Sequence, residues 1–384
     1  MKKKNIIILA LARFLTGVAG YIYDIGIVIY LFHETGSATA VGGFFVSQLL
    51  PAFIILIMGN LIDHVNHKKL LILSCILKIG ILLFLNISGN MWCLYVLTFG
   101  LSLLAEFEGN TFQAVLGDVF EKEQLLRVGT ILNFGDSVSM VFTPFIAAMI
   151  AEKFSYFTIV SITVVLYLGT LLLYLPVRLN SSFISECSEE VSEKGNVYKR
   201  KPVIVTTFFW SMFMLCIGIT SPLEIIMIED VLNMSSLYYG IGNTVEGIGM
   251  LFASGVLCIL KHKINTGRVI AAGLIMAVLS YGVIGISNNI RIYFIGAFFV
   301  GATATCCPLG FKYAVQTNCS IEKIGRVFTA VRFTVLLFRI LGIGFAGLML
   351  RAAGIRCIYI VTSAGLFLLA LMYIYVENVE KRKQ

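Results

Sequence analysis

The polar link from Gly59 to Leu70, G-N-L-I-D-H-V-N-H-K-K-L, restricts the possible folds more than any other stretch of the chain. It separates two apolar runs, Val41–Ile62 and Leu70–Ser88, each close to the roughly 20 residues that a helix needs to cross a bilayer. A short link between such runs must lie at a membrane surface. Its Lys68 and Lys69, beside His64 and His67, put it on the cytoplasmic face, where basic residues accumulate. An integral membrane protein with a tight, charged hairpin between its second and third spans is the expectation.

The rest of the chain agrees. Its 384 residues are 58% hydrophobic, above the roughly 45–50% of soluble domains, and the mean hydropathy is +0.92. The apolar runs read as twelve spans. Residues 1–177 form a first bundle of six helices, 178–202 a cytoplasmic linker, 203–377 a second bundle of six, and 378–384 a cytoplasmic tail. The fold class is all-α and polytopic.

A net charge of +8 raises the question of nucleic acid, but its distribution answers it. With the amino terminus inside, most Lys and Arg fall in inner segments; the outer loops hold Lys153, Arg291, Arg351 and Arg356, and the spans hold Arg13, Lys78, Lys312, Arg332 and Arg339. Such asymmetry is a topology signal with both termini cytoplasmic, not a nucleic-acid footprint. The first span follows Lys2, Lys3 and Lys4 without a small-residue cleavage site, so it reads as a retained helix. The nine cysteines show no metal-binding spacing, and no nucleophile, nucleotide or Walker motif stands out. Neither an enzyme nor direct ATP drive is expected, and no cofactor or metal.

Polar residues inside spans mark candidate sites, because they are costly against lipid. In the first span Arg13, Thr16, Gly17, Gly20 and Asp24 share one stripe. Asp24 either pairs with a neighbouring helix or faces a transport path. The fourth span carries the densest patch: Glu106 with Asn110 and Gln113 on one face, and Glu108 about 200° around from Glu106. Glu106, near the midplane, is the first choice for a proton carrier, since a carboxylate can exchange charged and neutral forms as its surroundings change. A salt bridge to Arg13 or Arg339 is the structural alternative. In the second half Glu224 and Glu246 lie at about the depth of Asp24, and Arg339 lies too deep to reach water by snorkelling, so it calls for an anionic partner.

Several motifs resemble the major facilitator superfamily. The Gly59–Leu70 link is similar to its signature loop, with Gly59, Leu61, Asp63, Lys68 and Lys69 matching and His64, Asn66 and His67 departing. Thr143, Pro144, Ala147 and Ala148 resemble a relaxed form of the antiporter motif, in which small residues around a proline permit a kink and close packing. The halves echo each other at an offset near 200, Ala114-Val115 before Asp118 resembling Ala314-Val315 before Asn318. Glu34-Thr-Gly-Ser-Ala-Thr, Glu121-Lys-Glu-Gln-Leu and Gly325-Arg326-Val327-Phe328 are similar to macrolide-efflux members.

The resemblance implies two six-helix bundles around a central cavity. It implies a cytoplasmic gate in which Asp63 meets Gly325 and Arg326 while Lys68 or Lys69 reaches Asp118. It also implies a monomer in the bacterial cytoplasmic membrane that exports small amphipathic or cationic molecules against protons, with the proton gradient as energy source. Where many such exporters carry an arginine in the fourth span, this chain has Leu and Ala around 101–105. A dedicated exporter of an endogenous metabolite or peptide and a nutrient uptake symporter stay open.

Overall fold

A computed structural model describes residues 2–58, 67–87, 90–119, 122–177, 201–260, 265–319 and 324–381. Gly59, Leu61 and Asp63 lie outside the described residues, as do the side chains of Gln113, Asp118 and Arg326. The described chain is helical: α1 (Lys2–Thr35), α2 (Ala38–Leu49), α3 (Pro51–Met58), α4 (His67–Ile87), α5 (Met91–Val119), α6 (Lys122–Lys153) and α7 (Tyr156–Tyr174), then α8 (Lys201–Thr220), α9 (Glu224–Ile226), α10 (Leu237–Leu260), α11 (Thr266–Ile286), α12 (Ile290–Thr317), α13 (Ile324–Ala352) and α14 (Ile355–Lys381). Ten candidate spans among the described residues are long and apolar enough to cross a membrane. Their outward faces carry large apolar side chains, among them Phe84, Leu172 and Leu368, as helices in a bilayer require.

Prolines set the interruptions. The run expected as one second span is split into α2 and α3 at Leu50, with Pro51 in the first position of α3, where its missing N–H costs least. The seventh span breaks in the same way. α8 ends at Thr220, Ser221–Leu223 form a 3₁₀ turn around Pro222, α9 follows, and Met227–Val231 take a π turn. Pro144, by contrast, sits inside α6 without ending it. Thr143, Pro144, Ala147 and Ala148 are all buried there.

The chain divides into two compact units. The first comprises residues 1–30 and 46–195, the second residues 31–45 and 196–384. In the first, Leu9 and Ala12 of α1 pack with Leu71 and Cys75 of α4, Phe112 and Val115 of α5, and Tyr174 of α7. In the second, the last turn of α1 and the segment after it belong with the later helices, with His33 on Glu229 and Gly42 against Ile343. Gly36, at φ +57, ends α1 in the left-handed conformation that glycine adopts without penalty. Two helix crossings of this unit leave no room for a side chain: Gly218 of α8 meets the Arg339 carbonyl of α13, and Gly301 of α12 meets the Glu246 carbonyl of α10. Small residues are what allow spans to approach this closely.

Candidate functional site

The first unit bears an open cavity of about 730 Å³, within the range of small-molecule sites. Its wall is built from the polar faces of the helices. From α1 it receives Arg13, Thr16, Gly17, Gly20 and Tyr21, the stripe expected of the first span. From α5 come Ser102, Glu106, Glu108 and Asn110; from α6, Asp136, Ser137 and Ser139. Gln48, Lys78 and Tyr167 complete it from α2, α4 and α7.

Two ion pairs organise this wall. Arg13 Nε donates to both carboxylate oxygens of Asp136 at 3.1 Å. Each side chain keeps about a third of its surface, 35% and 37%, so the pair borders the cavity and is not sealed away. The guanidinium also lies 5.7 Å from the centre of the Phe112 ring, a favourable cation–π position. The second pair is interior. Lys78 Nζ donates to Glu108 Oε2, and the two side chains are only 1% and 3% exposed. Glu108 Oε1 accepts from the Tyr174 hydroxyl at 3.0 Å and from Thr16 at 3.5 Å. The ammonium sits 5.0 Å from the centre of the Tyr167 ring. Charges this far from water persist when paired and hydrogen-bonded on several sides.

The residues singled out in the sequence fall as follows. Glu106 and Asn110 line the cavity, and so does Glu108, which faces the packed interior toward α4 and α7. Asp24 accepts from Gln48 Nε2 at 2.5 Å, a bond that ties α1 to α2 beside the wall. Arg13, offered as a partner for Glu106, pairs instead with Asp136. Lys68, which with Lys69 was one of two residues expected to reach Asp118, donates to the Leu175 carbonyl at 2.6 Å, where a cation meets the carbonyl-rich end of α7. Lys69 opens the same helix as Lys68 with its side chain exposed, and Gly325 lies in the first turn of α13. Glu224, Glu246 and Arg339 belong to the second unit.

Among the wall residues that the sequence reading did not recognise as site residues are two charged ones, Asp136 and Lys78. Asp136 is an acid nine positions into the apolar run Val128–Glu152, and an acid at that depth is itself the signal. Lys78 was noticed as an intramembrane cation, but sequence spacing cannot show that α4 and α5 set it against Glu108.

The described spans of this helical membrane protein set two ion pairs on the wall of a cavity, and the family model described as Major Facilitator Superfamily matches residues 9–240. The chain belongs to that superfamily and is a secondary transporter, not an enzyme. It is 23% identical over 353 residues to YfiS, an uncharacterized MFS-type transporter of Bacillus subtilis (strain 168), a match covering 85% of this chain and 82% of that protein. Among solved structures, the nucleoside transporter NupG superposes with a TM-score of 0.80 at 11% identity, covering 97% of this chain and 98% of that one. A bacterial homologue of the iron transporter ferroportin, in an inward-facing state, gives 0.79 at 12% identity, covering 97% and 98%. A bacterial homologue of the lysosomal transporter Spinster gives 0.75 at 12%, covering 97% and 96%. At these identities the likeness concerns the fold.

Proposed function

We propose that this carrier exports small amphipathic or cationic molecules of the drug or antibiotic type across the bacterial cytoplasmic membrane, both termini inside, in exchange for protons. The observation that carries the reading is the charge of the first-unit cavity. Among the described residues its wall holds two cations, Arg13 and Lys78, and three acids, Glu106, Glu108 and Asp136. The same surface offers Tyr21, Tyr167 and Met140. Such a wall attracts a positively charged, partly aromatic molecule and disfavours an anionic one. Arg13 and Asp136 are partly exposed at the cavity and paired to each other, so an arriving substrate can compete for either. Glu106 is the group assigned to the proton.

The likeness of the chain's loops to macrolide-efflux members supports export over uptake. In this reading Asp63 works at the cytoplasmic gate, and Asp63→Asn slows transport without abolishing binding.

The test uses everted membrane vesicles energised to an acid interior. Macrolides, lincosamides, lipophilic cations and small peptides are added in turn while interior pH is followed. Alkalinisation with a cationic macrolide or lipophilic cation supports antiport of this substrate class. Alkalinisation with peptides alone moves the assignment to a dedicated exporter. Substrate-dependent acidification contradicts antiport.

A further inference from the structure

A glycine inside a helix costs stability relative to alanine, and in a membrane span the usual return is a close helix crossing. Some glycines of the first unit give that return. A Cβ added at Gly17 would meet Ser139 at 3.3 Å, and one at Gly26 would meet Ile159 at 2.6 Å. Gly20 of α1 and Gly109 of α5 do not, for a Cβ at either meets nothing within 4 Å. Both are half-buried, and both line the first-unit cavity. The space in front of them is the cavity itself. Gly80 and Gly135 also have open surroundings, but neither belongs to the cavity wall.

The two glycines sit on neighbouring helices. Thr16 of α1 donates to Glu108 Oε1 of α5 at 3.5 Å. Gly20 lies about one turn beyond Thr16, and Gly109 directly follows Glu108. Ala105, about one turn before Gly109 on the same face of α5, is exposed and lines the cavity too. This part of the wall is therefore bare backbone and a single methyl group, with Tyr21 following Gly20 and Glu106 following Ala105. A flat, rigid ring system can lie against such a surface at van der Waals distance over much of its face, while a cationic end reaches Glu106 or Asp136 on the same wall.

We propose that Gly20 and Gly109 are specificity-determining residues, which keep open a shelf for the rigid ring system of the substrate, so that the carrier takes broad polycyclic cations in preference to compact ones. The proposal rests on the cationic-substrate reading above and adds which part of the molecule the wall selects. A compact cation uses the acids of the wall and leaves the shelf empty.

The test is equilibrium dialysis of purified full-length protein in detergent, with ethidium as the broad cation and benzyltrimethylammonium as the compact one, beside thermal unfolding. Wild type is expected to bind both and to prefer ethidium. Gly20→Leu and Gly109→Leu are expected to fold, since their side chains enter open space, and each to lower ethidium affinity about tenfold or more, the effect of overfilling a contact. Affinity for benzyltrimethylammonium stays at its wild-type value. Should a leucine variant not fold, Gly20→Ala and Gly109→Ala decide. A methyl group raises helix propensity, so the unfolding midpoint holds or rises, while ethidium affinity falls about fivefold. Wild-type ethidium affinity in the variants that fold, or an equal loss for both cations, overturns the proposal and leaves the cationic-substrate reading standing. A wild type that binds neither cation overturns that reading and the proposal with it.

Discussion

Lys78 of α4 and Glu108 of α5 form an ion pair in the interior of the first unit, with neither side chain more than 3% exposed. The pair joins two neighbouring spans and is extended by the Tyr174 hydroxyl to α7. Removing one partner leaves a charge stranded, which costs about 3–5 kcal/mol, whereas replacing both by apolar groups of similar size is close to neutral. Lys78→Met and Glu108→Leu are each expected to lower the unfolding midpoint sharply, and the double variant to recover most of the loss. A double variant as unstable as the worse single one would show that the pair does not act as a unit.

Tyr174→Phe keeps the ring and deletes one hydrogen bond to Glu108. A loss of about 1 kcal/mol is expected, readable as a small drop in thermal stability with the pair still intact.

The Arg13–Asp136 pair predicts a different pattern. Because both side chains border the cavity and stay partly exposed, their neutralisation should cost little stability, on the order of 1 kcal/mol or less. Transport should suffer far more. Asp136→Asn is expected to fold normally and to reduce substrate flux at least tenfold, checked by thermal unfolding beside uptake into everted vesicles. A fall in stability matching the fall in flux would make the pair a structural one.

Gly301→Leu tests the close crossing of α10 and α12. Any side chain there overlaps the Glu246 carbonyl, and the backbones cannot part without giving up the packing that holds them. Poor expression or aggregation is expected, against normal behaviour for Gly344→Leu, where a Cβ meets nothing within 4 Å.

Much of this architecture was legible because membrane helices obey simple rules. A run of apolar residues of fixed length announces a span, and a polar residue inside it announces a protein-facing position. That is why the α1 stripe of Arg13, Thr16, Gly17 and Gly20, and Glu106 on α5, turned up on the cavity wall. Partner choice was not legible. Arg13 had several acids within conceivable reach, and its pairing with Asp136 depends on how α1 and α6 pack, which Gly17 lying against Ser139 helps to set. The break before Glu224 was written in Ser221-Pro222 but hidden by a continuous apolar run. Hydropathy registers composition, while a missing N–H is a matter of hydrogen bonding.

The central claim is that the first-unit cavity carries substrate and that Glu106 on its wall carries the proton. It is tested most directly by comparing wild type with Glu106→Gln in energised everted vesicles, with substrate binding measured in parallel. The account predicts that the variant still binds a cationic substrate but no longer alkalinises the vesicle interior when it is added. Proton movement at the wild-type rate in Glu106→Gln would contradict it.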